Sequence, residues 1–282
     1  MVNYSIGDAL IKGIALLNDN KIDTAGIDAR MLLCKVLDCD KLYLTVHRDD
    51  VLTSEDSKAY FDYICRRIKR EPVSYITGVK EFMSMDFEVC PGILIPRPDT
   101  EILVERVIEE NTSENPVIVD MCTGSGAIAV SLAKYIPGSR VYGLDISSDA
   151  LRCAKSNALR NGVEVEFCTH DVLTPYEGVM ADIVVSNPPY IPTDELATLE
   201  SDVVDYEPML ALDGGPDGLV FYRAIAENIS SCLKKGGLLA FEVGCGIANG
   251  VAELMKDKFH SITIEKDLAG IDRVVSGRLK EC

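Results

Sequence analysis

The chain has 282 residues, 47% of them hydrophobic and 26% charged, which is enough for one large or two modest domains with apolar cores. Its 45 acidic and 28 basic residues give a net charge of −17, which disfavours a protein that grips nucleic-acid phosphates through a broad basic surface. The ten cysteines form no Cys-x-x-Cys pair, and no secretory signal or membrane-spanning run is present. These features predict a cytoplasmic protein with reduced thiols and no metal site.

The first 72 residues show apolar residues at helical spacing. Ser5 and Asp8 form a capping pair ahead of the first helix, and a second helix begins near Thr24. A further helix begins at Thr53 or Ser54 and stops before Pro72. No catalytic group of residues stands out here, so residues 1–72 are expected to form a helical domain that docks a partner or covers the site.

Residues 73–95 change character. Alternating residues around Phe82 to Val89, flanked by Thr-Gly and Pro-Gly pairs, predict a β-hairpin linker. The segment Ile-Pro-Arg-Pro-Asp-Thr-Glu at 95–101 then leads into an amphipathic helix. Arg97 stands between two prolines just ahead of that helix, and we expect it to reach a ligand.

From Pro116 onward, strands and helices alternate, which is typical of an open, mainly parallel α/β sheet. Strands are predicted at residues 117–119, 140–144, 163–168, 183–185 and 238–243. A helix is predicted around residues 221–233. Two further strands are predicted near residues 261–265 and 272–276. Residues 96–282 are therefore expected to form the catalytic or ligand-binding domain.

Three acidic residues fall at the ends of successive strands of this domain. Asp120 precedes a Gly-Ser-Gly loop, Asp145 ends the second strand, and Asp171 closely follows the third. Ligands of such sheets bind outside the carboxyl ends of the strands. Asp145 lies 19 residues after Gly126, a spacing that suits a carboxylate bound to ribose hydroxyls.

The loop itself limits the choice of cofactor. Gly-Ser-Gly-Ala-Ile-Ala at residues 124–129 matches the dinucleotide pattern only weakly, and no Gly-Lys-Ser/Thr follows for a phosphate loop. A carboxylate beside the loop would repel a pyrophosphate. S-adenosylmethionine fits better, with Asp120 near its aminoacyl end, Asp145 on its ribose and Asp171 near its adenine amine. Taken singly, each carboxylate is also compatible with a capping role.

The stretch that organises the domain is Ala181 to Tyr190. Its apolar strand stops at Ser-Asn-Pro-Pro-Tyr, in which two prolines stiffen the turn and remove two N–H donors. Asn187 offers a side-chain carbonyl and Tyr190 an aromatic face, so the turn suits a planar amide or amine. An ordinary Pro-Pro loop, or a ligand for a proline-binding domain, is the alternative interpretation.

These motifs resemble class I S-adenosylmethionine-dependent methyltransferases that act on planar nitrogens. The segments Thr77–Phe82, Leu94–Glu101 and Tyr206–Pro208 narrow the resemblance to the HemK/PrmC family, the release factor glutamine methyltransferases. The resemblance covers nearly the whole chain. It implies a Rossmann-like sheet, mainly parallel with the last strand antiparallel, and methylation of the glutamine amide in the Gly-Gly-Gln motif of class 1 peptide chain release factors.

The resemblance also implies site residues. It implies cofactor contacts at Thr123, Gly124, Ser125, Gly126, Asp145, Val172 and Asn187, to which the strand-end argument adds Asp120 and Asp171 and the position in the loop adds Cys122. The resemblance implies catalytic and substrate contacts at Asn187, Pro188, Pro189 and Tyr190, and the position of Arg97 between two prolines adds it as a further expected substrate contact. Two positions depart from relatives: Cys122 stands where many methyltransferases have a glycine, and Val172 where some have an aromatic residue.

Two other functions are compatible with the same residues. An adenine-N6 methyltransferase would use the same turn, because adenine presents a planar NH2, but the acidity of the chain weighs against it. A scaffold that binds the cofactor or the translation machinery without turnover is disfavoured by the intact Asn-Pro-Pro-Tyr turn.

Overall fold

The computed structural model describes residues 4–281. The chain divides into two compact units, with the boundary between Val79 and Lys80. The first unit is helical, with α1 at Ile6–Asp19, α2 at Ala25–Leu37, α3 at Lys41–Val46, α4 at Ser54–Ile68 and α5 at Val73–Thr77.

Side-chain caps begin three of these helices. The hydroxyl of Ser5 accepts a hydrogen bond from Asp8 N at 3.1 Å, which confirms the predicted capping pair. Thr53 caps α4 in the same way through Asp56 N at 3.0 Å. Such caps satisfy N–H groups that have no partner within the helix.

The core of the helical unit contains fully buried side chains of α1, α2 and α4, among them Leu17, Leu32 and Tyr60. Arg67 on α4 donates through Nε to Asp28 Oδ2 on α2 at 2.7 Å, and each side chain is 8% exposed. A buried charge is tolerated when it is paired, so this ion pair fixes the position of α4 along α2.

Residues 73–77 are helical, which corrects the prediction that the hairpin segment begins at residue 73. Pro72 precedes α5, and Gly78 ends it in the left-handed conformation (φ +76°), with its N–H donating to Ser74 O at 2.8 Å. Proline at a helix start and glycine just past its end are the expected stop signals.

The predicted hairpin is present, with strands β1 at Val79–Phe82 and β2 at Met85–Glu88. Its turn uses Met83 and Ser84, both with positive φ (49° and 55°), as in a type I′ turn. Glu101 supports the turn by accepting a hydrogen bond from Met83 N at 2.7 Å. Phe82 and Phe87 are buried in the core of the second unit, so the hairpin is packed rather than loose.

The second unit continues with helices and strands in alternation. They are α6 Thr100–Glu110, β3 Val117–Met121, α7 Ala127–Tyr135, β4 Arg140–Asp145, α8 Ser148–Arg160, β5 Glu166–Thr169, β6 Ala181–Ser186, α9 Ser201–Val204, α10 Val220–Asn228, β7 Leu233–Glu242, α11 Ala248–Met255, β8 Phe259–Lys266 and β9 Asp272–Leu279. Short 3₁₀ turns lie at Leu196–Thr198, Met209–Ala211 and Ile229–Ser231.

Seven of these strands form one sheet in the order β5-β4-β3-β6-β7-β9-β8. The first five strands in this order pair in parallel, whereas β9 is antiparallel to both β7 and β8. The predicted fold, a mainly parallel sheet with an antiparallel last strand, is confirmed. Strand order reverses between β4 and β6 around β3, so the switch point lies at β3.

Alternate residues of the sheet enter two separate cores. Val119 and Val184 pack with residues of α10 and α11 on one face. Ile118 and Ile183 pack with α6, α7 and the hairpin on the other. Because both faces are covered, the central strands are apolar on both sides, as parallel strands usually are.

Three predicted element bounds were wrong. The third strand begins at Glu166 instead of residue 163, because Val163 N donates to Ala158 O at 3.1 Å and stays tied to the end of α8. Helix α10 ends at Asn228 rather than 233, and β7 begins at Leu233 rather than 238. A register shift between Ala181 and Ile183 lets the extended β7 follow β6.

Candidate active site

A cavity of about 280 Å³ lies in the second unit at the carboxyl ends of β3, β4, β5 and β6. Its wall includes the residue that follows or ends each of these strands: Cys122, Asp145, His170 and Asn187. This is the switch point of the sheet, where α/β folds bind their ligands. Of the predicted site residues, those that line the cavity are Cys122, Gly124, Asp145, Asp171, Val172, Asn187 and Pro189.

The loop after β3 depends on left-handed backbone. Cys122, Gly124 and Gly126 have φ of +62°, +56° and +81°. A Cβ on Gly126 would lie 2.9 Å from the Ala154 Cβ, so glycine lets the loop pack on α8. Cys122 adopts a conformation that suits glycine, at a cost of about 1–2 kcal/mol. Burial raises the pKa of its thiol, which stays protonated.

Asp120 lies beneath this loop and does not line the cavity. Its side chain is fully buried, and its Oδ2 accepts from Thr123 Oγ1 at 2.6 Å and from Ala129 N at 3.2 Å. Ala129 is in the first turn of α7, so the carboxylate caps that helix. Burial raises the pKa of Asp120 to about 7. The predicted direct contact between Asp120 and the cofactor is therefore replaced by support of the loop from below.

Asp145 lies in the cavity wall, as its position at the end of β4 predicts. Its Oδ2 accepts from Gly124 N at 2.8 Å and its Oδ1 from Ser147 N at 2.9 Å. Burial raises the pKa of this carboxyl, and the backbone hydrogen bonds oppose that shift. Each oxygen keeps acceptor capacity, so the carboxylate can receive two further donors from a ligand.

Asp171 and Val172 form the next part of the wall. Asp171 Oδ1 accepts from Leu173 N at 3.0 Å, which fixes a local turn. Val172 is buried and presents an apolar surface to the cavity. His170, which sequence reasoning did not select, also lines the cavity, and its Nε2 is buried without a hydrogen-bond partner among the described residues.

The Asn-Pro-Pro-Tyr turn follows β6 directly. Asn187 and Pro189 line the cavity, while Pro188 is buried. Asn187 Nδ2 lies 3.5 Å from the Oγ1 of Thr100, a long hydrogen bond to the first residue of α6. Ser186 anchors the start of the turn through its Oγ, which donates to Met121 O at 2.6 Å.

Tyr190 is packed on the protein side of this turn rather than in the cavity wall. A Cβ on Gly244 would lie 2.7 Å from the Tyr190 ring, and a Cβ on Gly214 would lie 2.7 Å from the Tyr190 Cα. These two glycines leave the room that the tyrosine needs. Burial raises the pKa of Tyr190 to about 12, so its hydroxyl is neutral.

Arg97 forms an ion pair with Glu207 through its guanidinium. The Glu207 side chain is 2% exposed, and its other oxygen accepts from Ile95 N at 3.4 Å. The pair therefore ties the Ile-Pro-Arg-Pro segment to the loop that follows β6. Arg97 does not line the cavity, so the structure gives it a bracing contact in place of the predicted ligand contact.

Sequence reasoning missed much of the apolar wall. The cavity also includes residues before α6, after β4, after β5, in the loop beyond the Asn-Pro-Pro-Tyr turn and at the start of α10: Ile93, Leu94, Ile146, Leu173, Pro208, Leu210 and Phe221. Ile146 directly follows Asp145 at the end of β4, and Leu173 lies two residues after Asp171, so nearness to the acidic residues was an available signal. Leu94 and Pro208 lie in segments that carry the family resemblance, but nothing in those segments indicated a place in the cavity wall; Ile93, Leu210 and Phe221 come together with them through tertiary structure.

Within residues 4–281, no helix is both long and apolar enough to cross a membrane. The same residues contain no group of three or more His, Cys, Asp or Glu side chains that could hold a metal ion.

Both parts of the chain match known family models. Residues 8–78 match the PrmC N-terminal domain, and residues 98–204 match the methyltransferase small domain. Among solved structures, a methyltransferase from Pyrococcus furiosus superposes with a TM-score of 0.55 at 16% identity over 78% of this chain and 98% of that one. This likeness supports the fold.

Full-length relatives specify the family. A release factor glutamine methyltransferase of Clostridium acetobutylicum is 46% identical over 96% of this chain and 97% of the relative. Relatives of the same name from Geobacter sulfurreducens (93% of each chain) and Thermodesulfovibrio yellowstonii (88% of this chain, 90% of the relative) are each 40% identical. The resemblance drawn from the motifs is confirmed: this chain belongs to the release factor glutamine methyltransferase family.

Proposed function

We propose that the protein transfers the methyl group of S-adenosylmethionine to the side-chain amide nitrogen of the glutamine in the Gly-Gly-Gln motif of class 1 peptide chain release factors. The observation that carries the proposal is the placement of Asn187 and its Pro-Pro turn in the same cavity wall as Gly124 and Asp145. An amide-binding turn and a ribose-binding carboxylate thus face one space, in a chain of this family.

The residues of the cavity fit S-adenosylmethionine. Asp145 would bind the ribose hydroxyls with the acceptor capacity that its backbone bonds leave free. A Cβ on Gly124 would meet no atom within 4 Å, so the glycine leaves open space beside that carboxylate. Ile146, Val172 and Leu173 offer apolar surface for the adenine, with the Asp171 carboxylate near its amine.

The remaining predicted cofactor residues act through the loop. Thr123 N donates to Leu144 O at 2.9 Å, and the Ser125 carbonyl accepts from Asn157 Nδ2 at 2.9 Å. Together with Asp120 and Gly126 these contacts hold the loop backbone in place. We assign Cys122 and Gly124 to direct contact and Asp120, Thr123, Ser125 and Gly126 to shaping the loop.

Asn187 and the prolines are proposed to hold the substrate amide. The Oδ1 of Asn187 and the carbonyl of Pro188 would accept the two N–H groups of the glutamine side chain, because proline supplies acceptors without competing donors. Tyr190 would support the turn from behind, since it is packed against Gly214 and Gly244. Arg97 would act through Glu207 and the loop rather than on the substrate.

The chemistry depends on positioning. When bound, S-adenosylmethionine supplies an electrophilic methyl group on a positively charged sulfur. An amide nitrogen is a poor nucleophile, so the turn must present its lone pair in line with that methyl group. Orientation of this kind is worth about 7–11 kcal/mol in favourable cases. The acceptors on the NH2 group also stabilise positive charge that develops on the nitrogen.

We propose that the helical segment, residues 1–72, docks the release factor, that residues 73–95 link it to the catalytic part, and that residues 96–282 form the methyltransferase domain. The family match of residues 8–78 supports a dedicated N-terminal domain. Remote contacts of this kind would supply binding energy that positions the amide. A short Gly-Gly-Gln peptide should therefore be a much poorer substrate than the whole factor.

We also propose a cytoplasmic location, because translation termination, the process in which the release factor substrate acts, takes place there.

The decisive experiment measures transfer of labelled methyl groups from S-adenosylmethionine into a purified class 1 release factor, with DNA assayed in parallel. Label in the wild-type factor, and none in a factor whose Gly-Gly-Gln glutamine is replaced by alanine, is the expected result. Label in DNA with none in the factor would replace the proposal by the adenine-N6 alternative. Label that survives loss of the glutamine would move the site elsewhere on the factor.

A further inference from the structure

Glu242, the last residue of β7, is a buried carboxyl that the proposed mechanism does not use. Its side chain is 4% exposed, and its Oε2 has no hydrogen-bond partner among the described residues. Burial raises its pKa to about 7, while the neighbouring side chain of Thr100, the charge of Arg273 and the side chain of Asn187 oppose that rise. A buried carboxyl beside the proposed amide-binding residue needs a reason.

The chemistry of these three side chains fixes the direction of their hydrogen bonds. An ionised carboxylate only accepts, so in a hydrogen bond between Thr100 and Glu242 the Thr100 hydroxyl is the donor. The Thr100 oxygen is then left to accept, and it faces Asn187 Nδ2 at 3.5 Å. Ser186 on β6 pairs with Phe241 on β7, so the next residues, Asn187 and Glu242, lie side by side, and the second N–H of Asn187 has this carboxylate as its nearest acceptor in the proposed arrangement. Both donors of the Asn187 amide are thereby directed to the protein.

This polarity decides what Asn187 offers to a ligand. An asparagine amide can be rotated by 180° with little change of shape, which exchanges its carbonyl and its NH2 group. If the NH2 group faced the cavity, it would repel the NH2 group of a glutamine substrate. With the NH2 held by Thr100 and Glu242, the Oδ1 is the atom left to accept.

We propose that Glu242 and Thr100 are positioning residues, which hold the Asn187 amide in the one orientation that accepts from the substrate NH2 group. The inference rests on the proposed function and deepens it. Neither residue lines the cavity, so both act through Asn187. The carboxylate is the essential member, because it is the one group of the three that cannot donate.

Two near-isosteric variants test the proposal. Glu242→Gln replaces a pure acceptor by a group that can also donate, and Thr100→Val removes the hydroxyl. In each, kcat with the whole release factor should fall by about 10- to 100-fold, the range for a lost hydrogen bond to a charged group. Affinity for S-adenosylmethionine, measured by calorimetry, should be unchanged. Thr100→Ser restores the hydroxyl and should recover most of the turnover.

A matched control removes another buried hydroxyl. Ser131 on α7 is fully buried, and its Oγ donates to Ala127 O at 2.7 Å, away from Asn187. Ser131→Ala should keep wild-type turnover. If Glu242→Gln does not fold, the Thr100→Val and Thr100→Ser pair still decides the matter, because cofactor binding reports whether each variant is folded.

The pH profile separates positioning from mere packing. The groups that face Glu242 are Asp99 ahead of α6, Arg273 on β9, Tyr190 after β6 and Tyr222 on α10. Protonation of Glu242 makes it a donor and frees the Asn187 amide, so wild-type kcat at saturating substrates should fall from about pH 8 to about pH 6. That fall should be absent from Glu242→Gln, which retains Asp120, the other buried carboxyl with a pKa of about 7.

The outcomes separate this proposal from the proposed function. A wild-type enzyme that never labels the release factor would refute the function itself. Given an active wild type, full kcat in both Glu242→Gln and Thr100→Val overturns the positioning role. Cofactor affinity that falls as far as kcat, or an acidic limb that persists in Glu242→Gln, overturns it as well.

Discussion

The loop after β3 and the turn after β6 lie at neighbouring strand ends but are built by different means. The first contains three residues with positive φ, Cys122, Gly124 and Gly126, and presents backbone to the cavity. The second contains no positive φ between residues 186 and 190, and presents the Asn187 side chain. Each has a buried carboxyl with a raised pKa next to it: Asp120 below the loop, and Glu242 at the end of β7 beside the turn.

The two segments are therefore suited to different ligands. A backbone wall suits a cofactor that is the same in every turnover, since N–H groups and glycines give close approach. A side-chain acceptor suits a substrate whose amide must be aligned to react. If this comparison holds, variants of the loop should change cofactor affinity or stability, and variants of the turn should change turnover.

The largest expected effect comes from the turn. Asn187→Ala should reduce kcat by about 100- to 1,000-fold, as loss of a single oriented hydrogen-bonding group does in other enzymes. Cofactor affinity, measured by calorimetry, should stay close to that of the wild type. Near-normal turnover would show that Asn187 only shapes the turn. The loop after β3 and the turn after β6 would then not differ in the way proposed.

Asp145→Ala tests the cofactor side of the comparison, because Asp145 at the end of β4 holds the loop through Gly124 N at 2.8 Å. Loss of charge-assisted hydrogen bonds to the ribose should weaken cofactor binding by about 1.5–3 kcal/mol. The matched control is Asp149→Ala, which removes an exposed carboxylate of α8 that pairs with Arg152 at 2.6 Å. Calorimetry in which both variants bind equally well would place the ribose elsewhere.

The pH dependence of the unfolding free energy reports the protonation of Asp120, the carboxyl group below the loop. The pKa of Asp120 is raised from 3.8 to about 7, so the folded state holds this proton more tightly than the unfolded state. Its contribution is therefore greatest below pH 3.8 and is lost as the pH rises through about 7. In Asp120→Asn, the decline of unfolding free energy between about pH 5 and pH 7 should be shallower by up to about 1.4 kcal/mol per pH unit.

Chemical denaturation at several pH values measures that slope. Asparagine keeps one acceptor for Thr123 and Ala129, which makes the substitution conservative in shape. Glu242, whose pKa is also raised to about 7, contributes a decline of the same sign that remains in this variant. Parallel curves for wild type and Asp120→Asn would contradict the assignment of a buried, protonated Asp120.

The smallest effect concerns the strain in the loop. Cys122→Gly should relieve the left-handed cysteine, and the net gain should be up to about 1 kcal/mol because glycine also loses more chain entropy on folding. Thermal unfolding and cofactor titration together measure it. A less stable variant would mean that the packing of the Cys122 side chain outweighs its backbone strain.

Much of the site was predictable because its polar residues lie at the carboxyl ends of strands, and a parallel sheet brings those ends together. Asp145 and Asn187 lie at the ends of apolar strands and Asp171 lies two residues beyond β5, and the parallel sheet brings those strand ends to one cavity. Asp120 carries the same signal, yet it is buried under the loop. A sequence pattern gives the strand end on which a residue lies, and side-chain direction depends on the packing of the loop around it.

Other features left no local signal. The Met83-Ser84 turn has no glycine or asparagine at positive φ, and it is supported by Glu101 from 18 residues further along the chain. Glu242 stands at the end of an apolar strand with no motif around it, and its partners Thr100 and Asn187 are distant in sequence. Contacts between distant segments decide both cases, and one sequence does not reveal them.

The position of β9 has a consequence for how the molecule is assembled. This strand follows β8 in the chain but is inserted between β7 and β8. Until β9 is in place, β8 has no neighbour to pair with, and Arg273, which pairs with Asp99 at 2.7 Å, is missing from the surroundings of Glu242. During vectorial synthesis, in which earlier segments fold first, the sheet and the support of the turn are thus completed by one late strand. Removal of residues after Ile271 would cost two strands rather than one, and with them a charge beside the site.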